Sequence, residues 1–417
     1  MLFRDRFLGW KMVMVAFFVD FIAVGFFFYS YGVFFKAIAA EFGDSRLGVS
    51  LGLTVTSAVG AIAAPLVGRA LDRFPLRRVI GVGAVFMAFG FLGLSQVRTP
   101  LEFYLVLGLF IGFGASSMGN LATSKLVANW FERRRGMALG IAATGVSLSG
   151  VIMPFVTAAL IEAYGWRQGF LLYGIFTLVV VVPVVLRMII SKPEDVGLHP
   201  DGASQASIMA AQGNQPPRVS MRDVVRDRNF WAVVGTFGLA FCAMSATLTH
   251  MVPRLTDMGH ALTTASLVMS LCAGLGVVGK LSFGVLADRL PLRRVLWLIL
   301  VVQFFGQLVM YANDTLWVFA LGAAIFGYGV GGVVPMHGVV VGKTFGRERF
   351  GAVLGLMRPA MFPLQIAGVP FAGWIFDVTG RYDQAFQVFL GVYVLAALVA
   401  WFYRQPSFEQ TRAAAGR

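Results

Sequence analysis

The chain has 417 residues, of which 58% are hydrophobic and only 13% charged, with a mean hydropathy of +0.78. Globular domains carry about 25% charged residues, so a soluble enzyme is excluded and an integral membrane protein of many helices is indicated. The net charge of +14 raises nucleic acid as a partner, but most lysines and arginines gather at the termini and in alternate loops, which is a positive-inside bias and not a basic face.

A helix needs about 20 apolar residues to cross a bilayer. Twelve such runs follow one another, at approximately 11–37, 48–70, 79–96, 101–129, 137–161, 168–190, 230–256, 262–286, 295–312, 315–341, 351–376 and 384–403. The first, Met12–Phe35, follows Arg4, Arg6 and Lys11. It is too long for a signal-peptide core and lacks a small-residue cleavage pattern, so it reads as a span. An even number of spans with basic termini puts both ends in the cytoplasm. No strand-like alternation suited to a membrane barrel appears. The two cysteines, Cys242 and Cys272, fall inside spans and read as free thiols acting as small apolar residues.

One connection is long. Residues 191–228 are polar and hold Pro193, Pro200, Pro216 and Pro217 with Arg218, Arg222, Arg226 and Arg228. This loop divides the chain into a six-helix bundle at 1–190, a cytoplasmic central loop at 191–228 and a second six-helix bundle with a short tail at 229–417. Its end, Ser220–Asn229, reads as a short amphipathic helix with Ser220 as N-cap.

The halves repeat. Gly68-Arg-Ala-Leu-Asp72-Arg73-Phe-Pro75-Leu76-Arg77-Arg78-Val79 aligns with Gly284-Val-Leu-Ala-Asp288-Arg289-Leu-Pro291-Leu292-Arg293-Arg294-Val295, identical at most positions. A weaker match pairs Phe131–Gly136 with Phe345–Gly351. A duplication of this kind, with both copies in one orientation and a substrate site near mid-membrane, is a transporter architecture. The expected fold is all-α, twelve transmembrane helices in two pseudo-symmetric bundles.

The turn after span 2, with its copy after span 8, resembles the Gly-x-x-x-Asp-Arg-x-Gly-Arg-Arg loop of the major facilitator superfamily, with Pro75 and Pro291 in place of the usual glycine. A narrower resemblance, to monocarboxylate transporters and bacterial oxalate/formate-type antiporters, lies at Trp130-Phe131-Glu-Arg133-Arg134-Arg135-Gly136-Met-Ala138-Leu-Gly140 and onward to Gly145. Gly9-Trp10, Phe230-Trp231 and Pro193-Glu194-Asp195-Val-Gly197 add to it. In that superfamily spans 1, 4, 7 and 10 line the cavity, and spans 2, 5, 8 and 11 join the halves.

Lys280 on span 8 corresponds to the substrate cation of the monocarboxylate group. The physical basis is that a carboxylate entering a low-dielectric cavity loses hydration, and a fixed cation offsets that loss. The competing reading is snorkelling, since Lys280 sits about 9 Å inside the boundary at 1.5 Å per residue. Arg358 on span 11 lies at a similar depth, stays charged and can grip a carboxylate with two bonds. One cation on each of spans 8 and 11 resembles the oxalate/formate antiporters, with lysine and arginine exchanged. Either a dicarboxylate, or a monocarboxylate with an acidic partner nearby, would suit two cations.

Asp20 is the deepest acid, a candidate proton carrier or a counter-ion of Lys125 or Lys280. Animal monocarboxylate transporters carry an aspartate four residues before the span-8 arginine. Gly276 stands there in this chain, which leaves Asp20, His250 and Asp257 as proton-coupling candidates. Asn120 on span 4 and His337 on span 10, with Tyr328, Phe28 and Tyr29, complete the substrate-binding candidates. Asp72, Arg73, Asp288 and Arg289 are candidates for a cytoplasmic latch. Lys125, near the end of span 4, reads as snorkelling.

No phosphate-cradling loop appears, so ATP is not expected to drive the protein, and no metal or cofactor site is suggested. The expected function is secondary transport of small organic anions by alternating access. Proton-coupled monocarboxylate uptake comes first, carboxylate exchange is the alternative, and a carboxylate-sensing receptor is a remote third. The expected partners are the anion, protons and lipid. The expected setting is a bacterial inner membrane, with the protein as a monomer and no enzymatic activity.

Overall fold

The structure, a computed structural model, describes residues 7–42, 46–202, 221–312 and 315–404. Among the described residues, twelve helices are long and apolar enough to cross a membrane. They are α1 (Gly9–Tyr29), α2 (Gly52–Arg73), α3 (Leu76–Leu94), α4 (Pro100–Trp130), α5 (Arg135–Tyr164), α6 (Trp166–Met188), α7 (Arg228–Asp257), α8 (Thr264–Arg289), α9 (Leu292–Ala312), α10 (Leu316–Phe345), α11 (Phe350–Thr379) and α12 (Asp383–Trp401). Among the described residues there is no strand. Lipid offers the backbone no hydrogen-bond partners, so each crossing segment satisfies its own amides as a helix.

The proline turns build the helix starts they precede. Arg78 N donates to Pro75 O at 2.9 Å, and in the second copy Arg294 N donates to Pro291 O at 2.9 Å. Proline lacks an N–H and has a preset φ, so it ends one span and opens the next without an unsatisfied donor. At α4 the start is a capping box: Glu102 N donates to Thr99 Oγ1 at 3.3 Å, and Thr99 N donates to Glu102 Oε2 at 3.3 Å. Gly165, with φ of 80°, turns α5 into α6 in a single residue, in a conformation that strongly favours glycine.

The spans are not uniform α-helix. Gly25–Tyr29 in α1, Leu107–Gly112 in α4 and Thr177–Val181 in α6 are π-helical, a geometry common at functional sites. α4 also breaks at Gly119, whose extended backbone separates Phe113–Met118 from Asn120–Trp130, whereas α10 runs unbroken from Leu316 to Phe345.

Ser220, expected as an N-cap, lies outside the described residues. The helix expected over 220–229 is Met221–Arg226, and Asp227 then caps α7 by accepting from Asn229 N at 2.7 Å. A side chain that takes up a free amide of the next helix ends the first one here.

The chain divides into two compact units. One comprises residues 1–133, 142–207 and 347–359; the other comprises 134–141, 208–346 and 360–417. Each unit therefore includes a short segment that the chain supplies from the opposite half: the start of α11 in the first and the start of α5 in the second. In the first unit an aromatic cluster forms the core, with Phe26 stacked on Tyr173 at 4.1 Å and Phe34 on Phe170 at 4.0 Å. In the second, Phe326, Phe389, Tyr393 and Met310 are buried together. Small residues allow the borrowed segments to pack backbone against backbone. A Cβ on Gly68 would collide with the Gly351 carbonyl, and one on Gly136 with the Gly284 carbonyl.

Candidate functional site

In the first unit the candidate residues converge from α1, α4 and the start of α11. Asp20 is 1% exposed, and Thr123 Oγ1 donates to its Oδ1 at 2.9 Å. Thr123 stands one turn beyond the break at Gly119, so the break sets where this hydroxyl meets α1. Arg358 lies within Coulombic range of Asp20. Asn120, the first residue after the break, is half-buried. Phe28 and Tyr29 belong to the π-helical turn of α1. Phe28 is exposed, while the Tyr29 ring packs over Gly150 of α5, and the two rings meet edge to face at 5.5 Å.

In the second unit Lys280 is carried by α8 and is only 8% exposed. Its helix runs against α10 with almost no side chains between them: Gly279 abuts the Tyr328 carbonyl, and Gly331 abuts Gly276 and the Lys280 amide. A Cβ on Gly276 would stand 3.3 Å from the Gly327 carbonyl, a tight contact on the α10 side of the helix. Tyr328 is half-buried with its ring 5.0 Å from that of Phe283. His337 is buried on α10, with its ring 4.6 Å from Phe237 of α7.

His250 and Asp257 do not form a mutual pair. His250 Nδ1 is 3.3 Å from the Tyr382 hydroxyl, and its Nε2 is 3.0 Å from the Val369 carbonyl. The contact to a carbonyl makes Nε2 the protonated nitrogen and Nδ1 the acceptor in the neutral ring. Asp257 is exposed at the end of α7. Burial first, then the charges of Asp257 and Asp377, push the Tyr382 phenol above its ordinary pKa, so both candidates act on the same tyrosine.

The two aspartates of the repeated turns do the same work in each unit. Asp72 accepts from Gly351 N at 3.1 Å and Ala352 N at 2.7 Å. Asp288 accepts from Gly136 N at 2.8 Å and Met137 N at 2.9 Å. Each carboxylate thus caps the first turn of a helix, where free amides and the helix dipole favour negative charge. Arg73 and Arg289 are exposed.

Three cations differ from their sequence reading or escaped it. Lys125, expected to snorkel, is 2% exposed and pairs with Asp72 at 2.7 Å; it also donates to the Arg347 carbonyl. Lys343 lies 3.9 Å from Asp288 and donates to the Ala287 carbonyl at 2.7 Å. Its signal in the sequence was a place on span 10 much like that of Lys125 on span 4. Arg254 is 4% exposed, pairs with Asp383 at 3.3 Å and stacks 4.4 Å over Phe386.

The family model of the Major Facilitator Superfamily matches residues 13–312 and 255–417. The chain belongs to the Major Facilitator Superfamily. It is a multi-pass membrane transporter and not an enzyme. Among curated superfamily relatives, it is 28% identical over 393 residues to Monocarboxylate transporter 13 of Rattus norvegicus, covering 93% of this chain and 87% of the relative. It is 26% identical to Monocarboxylate transporter 4 of Rattus norvegicus, covering 88% of this chain and 76% of the relative. It is 25% identical to the uncharacterised MFS-type transporter YcxA of Bacillus subtilis, covering 95% and 96%. The fold is shared with solved superfamily members. The proton:xylose symporter XylE bound to 6-bromo-6-deoxy-D-glucose superposes with a TM-score of 0.78 at 13% identity, covering 97% of this chain and 98% of that one. The human organic anion transporter MFSD10 gives 0.69 at 16% identity, covering 96% and 100%.

Proposed function

We propose that this superfamily member is a secondary active transporter of small organic anions, with monocarboxylates such as lactate or pyruvate foremost, and that protons drive it. The observation that carries the reading is Lys280, a lysine kept almost wholly out of solvent inside a membrane span. A cation so placed costs several kcal/mol and is retained where an anion repays it. The names of the curated relatives support a monocarboxylate as that anion.

The proposed cycle uses named groups. The substrate carboxylate meets Lys280, with Tyr328 and His337 on the adjacent helix completing its surroundings. Arg358 is a second anion site, held in check by Asp20. A proton on Asp20 cancels the charge that competes for Arg358, which links proton entry to anion entry. His250, beside Tyr382, is the second proton-relay candidate, with Asp257 near the same phenol. Alternating access exposes the site to each side in turn, while Asp72 with Arg73, and Asp288 with Arg289, latch the side we take as cytoplasmic. The positive-inside pattern supports cytoplasmic termini, in a bacterial inner membrane and with the protein as a monomer.

The test is uptake of radiolabelled lactate or pyruvate into proteoliposomes by wild type and Lys280→Ala. Loss of uptake supports the reading; wild-type transport by the variant overturns the site. Two cations also favour a second reading, carboxylate exchange. Uptake that ignores a collapsed pH gradient but requires internal anion would select it.

A further inference from the structure

At the end of the first unit away from the Asp72–Arg78 turn, a cavity of about 260 Å³ opens where α3 ends and α6 begins. Ser95, Gln96, Arg98, Arg167, Gln168 and Leu171 line it. None of these residues belongs to the transport site described above.

The arginines differ in role. Arg167 is fixed: it pairs with Glu41, donates through Nη2 to the Val97 carbonyl at 2.7 Å, and stacks 4.2 Å over the Trp166 ring. Trp166 Nε1 also donates to Glu41 at 2.6 Å, so that carboxylate is engaged twice. Glu102, the other nearby acid, is occupied by the backbone amides of Arg98 and Thr99. The exposed Arg98 guanidinium has no ion pair or hydrogen bond among the described residues. The cavity is therefore lined by one pinned and one uncommitted arginine, together with Gln96 and Gln168.

What lies beside the cavity identifies its ligand. Along α3, Val82, Phe86 and Phe89 are exposed at a spacing of four and three, and the helix ends at Leu94, just before Ser95 and Gln96 of the cavity. Along α6, Leu172, Ile175 and Val179 are exposed, on the face that begins at Gln168. A helix stripe at this spacing is one continuous surface, and in a membrane protein an exposed apolar stripe faces acyl chains. The two helices pack together, with Leu92 of α3 against Gly174 of α6 and Leu186 of α6 against Gly81 of α3. Both stripes thus flank one seam and end at one polar, cationic cavity. A small soluble anion would use the cavity alone; an amphipathic anion uses both features.

We propose that this cavity binds the phosphate of a membrane phospholipid, with Arg98 and Arg167 as donors and the acyl chains lying along the α3–α6 seam. Arginine is suited to this role because its fork matches phosphate oxygens.

The experiment is native mass spectrometry of the full-length protein in detergent, titrated with phosphatidylglycerol, for wild type, Arg98→Ala and Arg98→Lys. Wild type retains bound lipid. Removing one charge-assisted arginine–phosphate contact lowers retention about tenfold, and Arg98→Lys holds most of it. Unchanged retention in Arg98→Ala overturns the proposal. Glycerol phosphate or inorganic phosphate displacing the lipid at matched concentration also overturns it, in favour of a free-anion site. Should Arg98→Ala fold poorly, Gln168→Leu, which removes a headgroup donor from an exposed position, is measured in the same way and is expected to reduce retention.

Discussion

Lys125 Nζ lies 2.7 Å from Asp72 Oδ1, inside a unit where both groups are almost wholly shielded from solvent. The carboxylate also holds Gly351 N and Ala352 N. Removing one partner of a buried pair leaves an uncompensated charge, which costs about 3–5 kcal/mol. Lys125→Met is therefore expected to lower the melting temperature in detergent sharply. Asp72→Asn combined with Lys125→Met should recover part of the loss, because neither charge is then left alone. A double variant no more stable than the worse single variant would show that the pair is not coupled.

The second copy is looser, with Lys343 at 3.9 Å from Asp288 and its amine bonded to the Ala287 carbonyl instead. Lys343→Met is expected to cost clearly less than Lys125→Met, about 1 kcal/mol or a little more, in line with a weaker charge-assisted contact. Equal melting shifts in the two variants would contradict the difference in geometry.

Much of this arrangement is legible in the chain, and the reason is physical. A span announces itself because lipid demands a run of apolar residues, and the repeated turns announce the duplication because Asp72 and Asp288 need the same neighbours. The π-helical turns, the break at Gly119 and the pairing of Lys125 with Asp72 are not legible. Each depends on what a distant segment presents: Thr123 meets Asp20 from another helix, and Lys125 meets an acid two spans earlier. Arg254 was missed for a similar reason. Phe386, Phe319 and Asp383, which surround it, are supplied by α10 and α12. The exchanged starts of α5 and α11 rest on backbone caps, which no side-chain pattern at those helices reveals.

Glu41 gives a pH prediction. Its hydrogen bond from Arg167 is the main cause that holds its carboxyl below the ordinary value of 4.5. A depressed folded-state pKa means the stabilisation is present above the unfolded value and is lost as pH falls through the folded value. Both partners are about a third exposed, so solvent screening keeps the contribution below about 1 kcal/mol. The melting difference between wild type and Glu41→Gln should be constant from pH 6 to 8 and shrink below about pH 4. A difference that grows on acidification would reverse the sign of the argument.

Lys280 gives the sharpest functional prediction. Losing one partner of a buried charge pair costs about 2–5 kcal/mol, which is a drop in anion affinity of at least about 30-fold. Lys280→Ala should lose carboxylate uptake by that order, whereas Lys280→Arg should keep part of it. Circular dichroism and melting curves of both variants distinguish this from misfolding.

Asp20 decides between symport and exchange. Asp20→Asn keeps an acceptor for the Thr123 hydroxyl while removing both the charge and the titration. On the proposed cycle, Arg358 is then permanently released to anions and no proton is needed to free it. Accumulation of lactate driven by a pH gradient should fall about tenfold or more, equivalent to at least about 1.4 kcal/mol of lost coupling. Counterflow exchange of labelled for unlabelled lactate should persist, because exchange moves the anion without moving the proton. Thr123→Val tests the same link more gently. It leaves the carboxylate in place without its hydroxyl donor, so it should shift the pH dependence of uptake and not abolish transport. If Asp20→Asn accumulates lactate as well as wild type does under the same gradient, the proton travels elsewhere. His250→Gln then becomes the deciding variant, since His250 alone among the remaining candidates bonds a titratable hydroxyl on one ring nitrogen and a backbone carbonyl on the other.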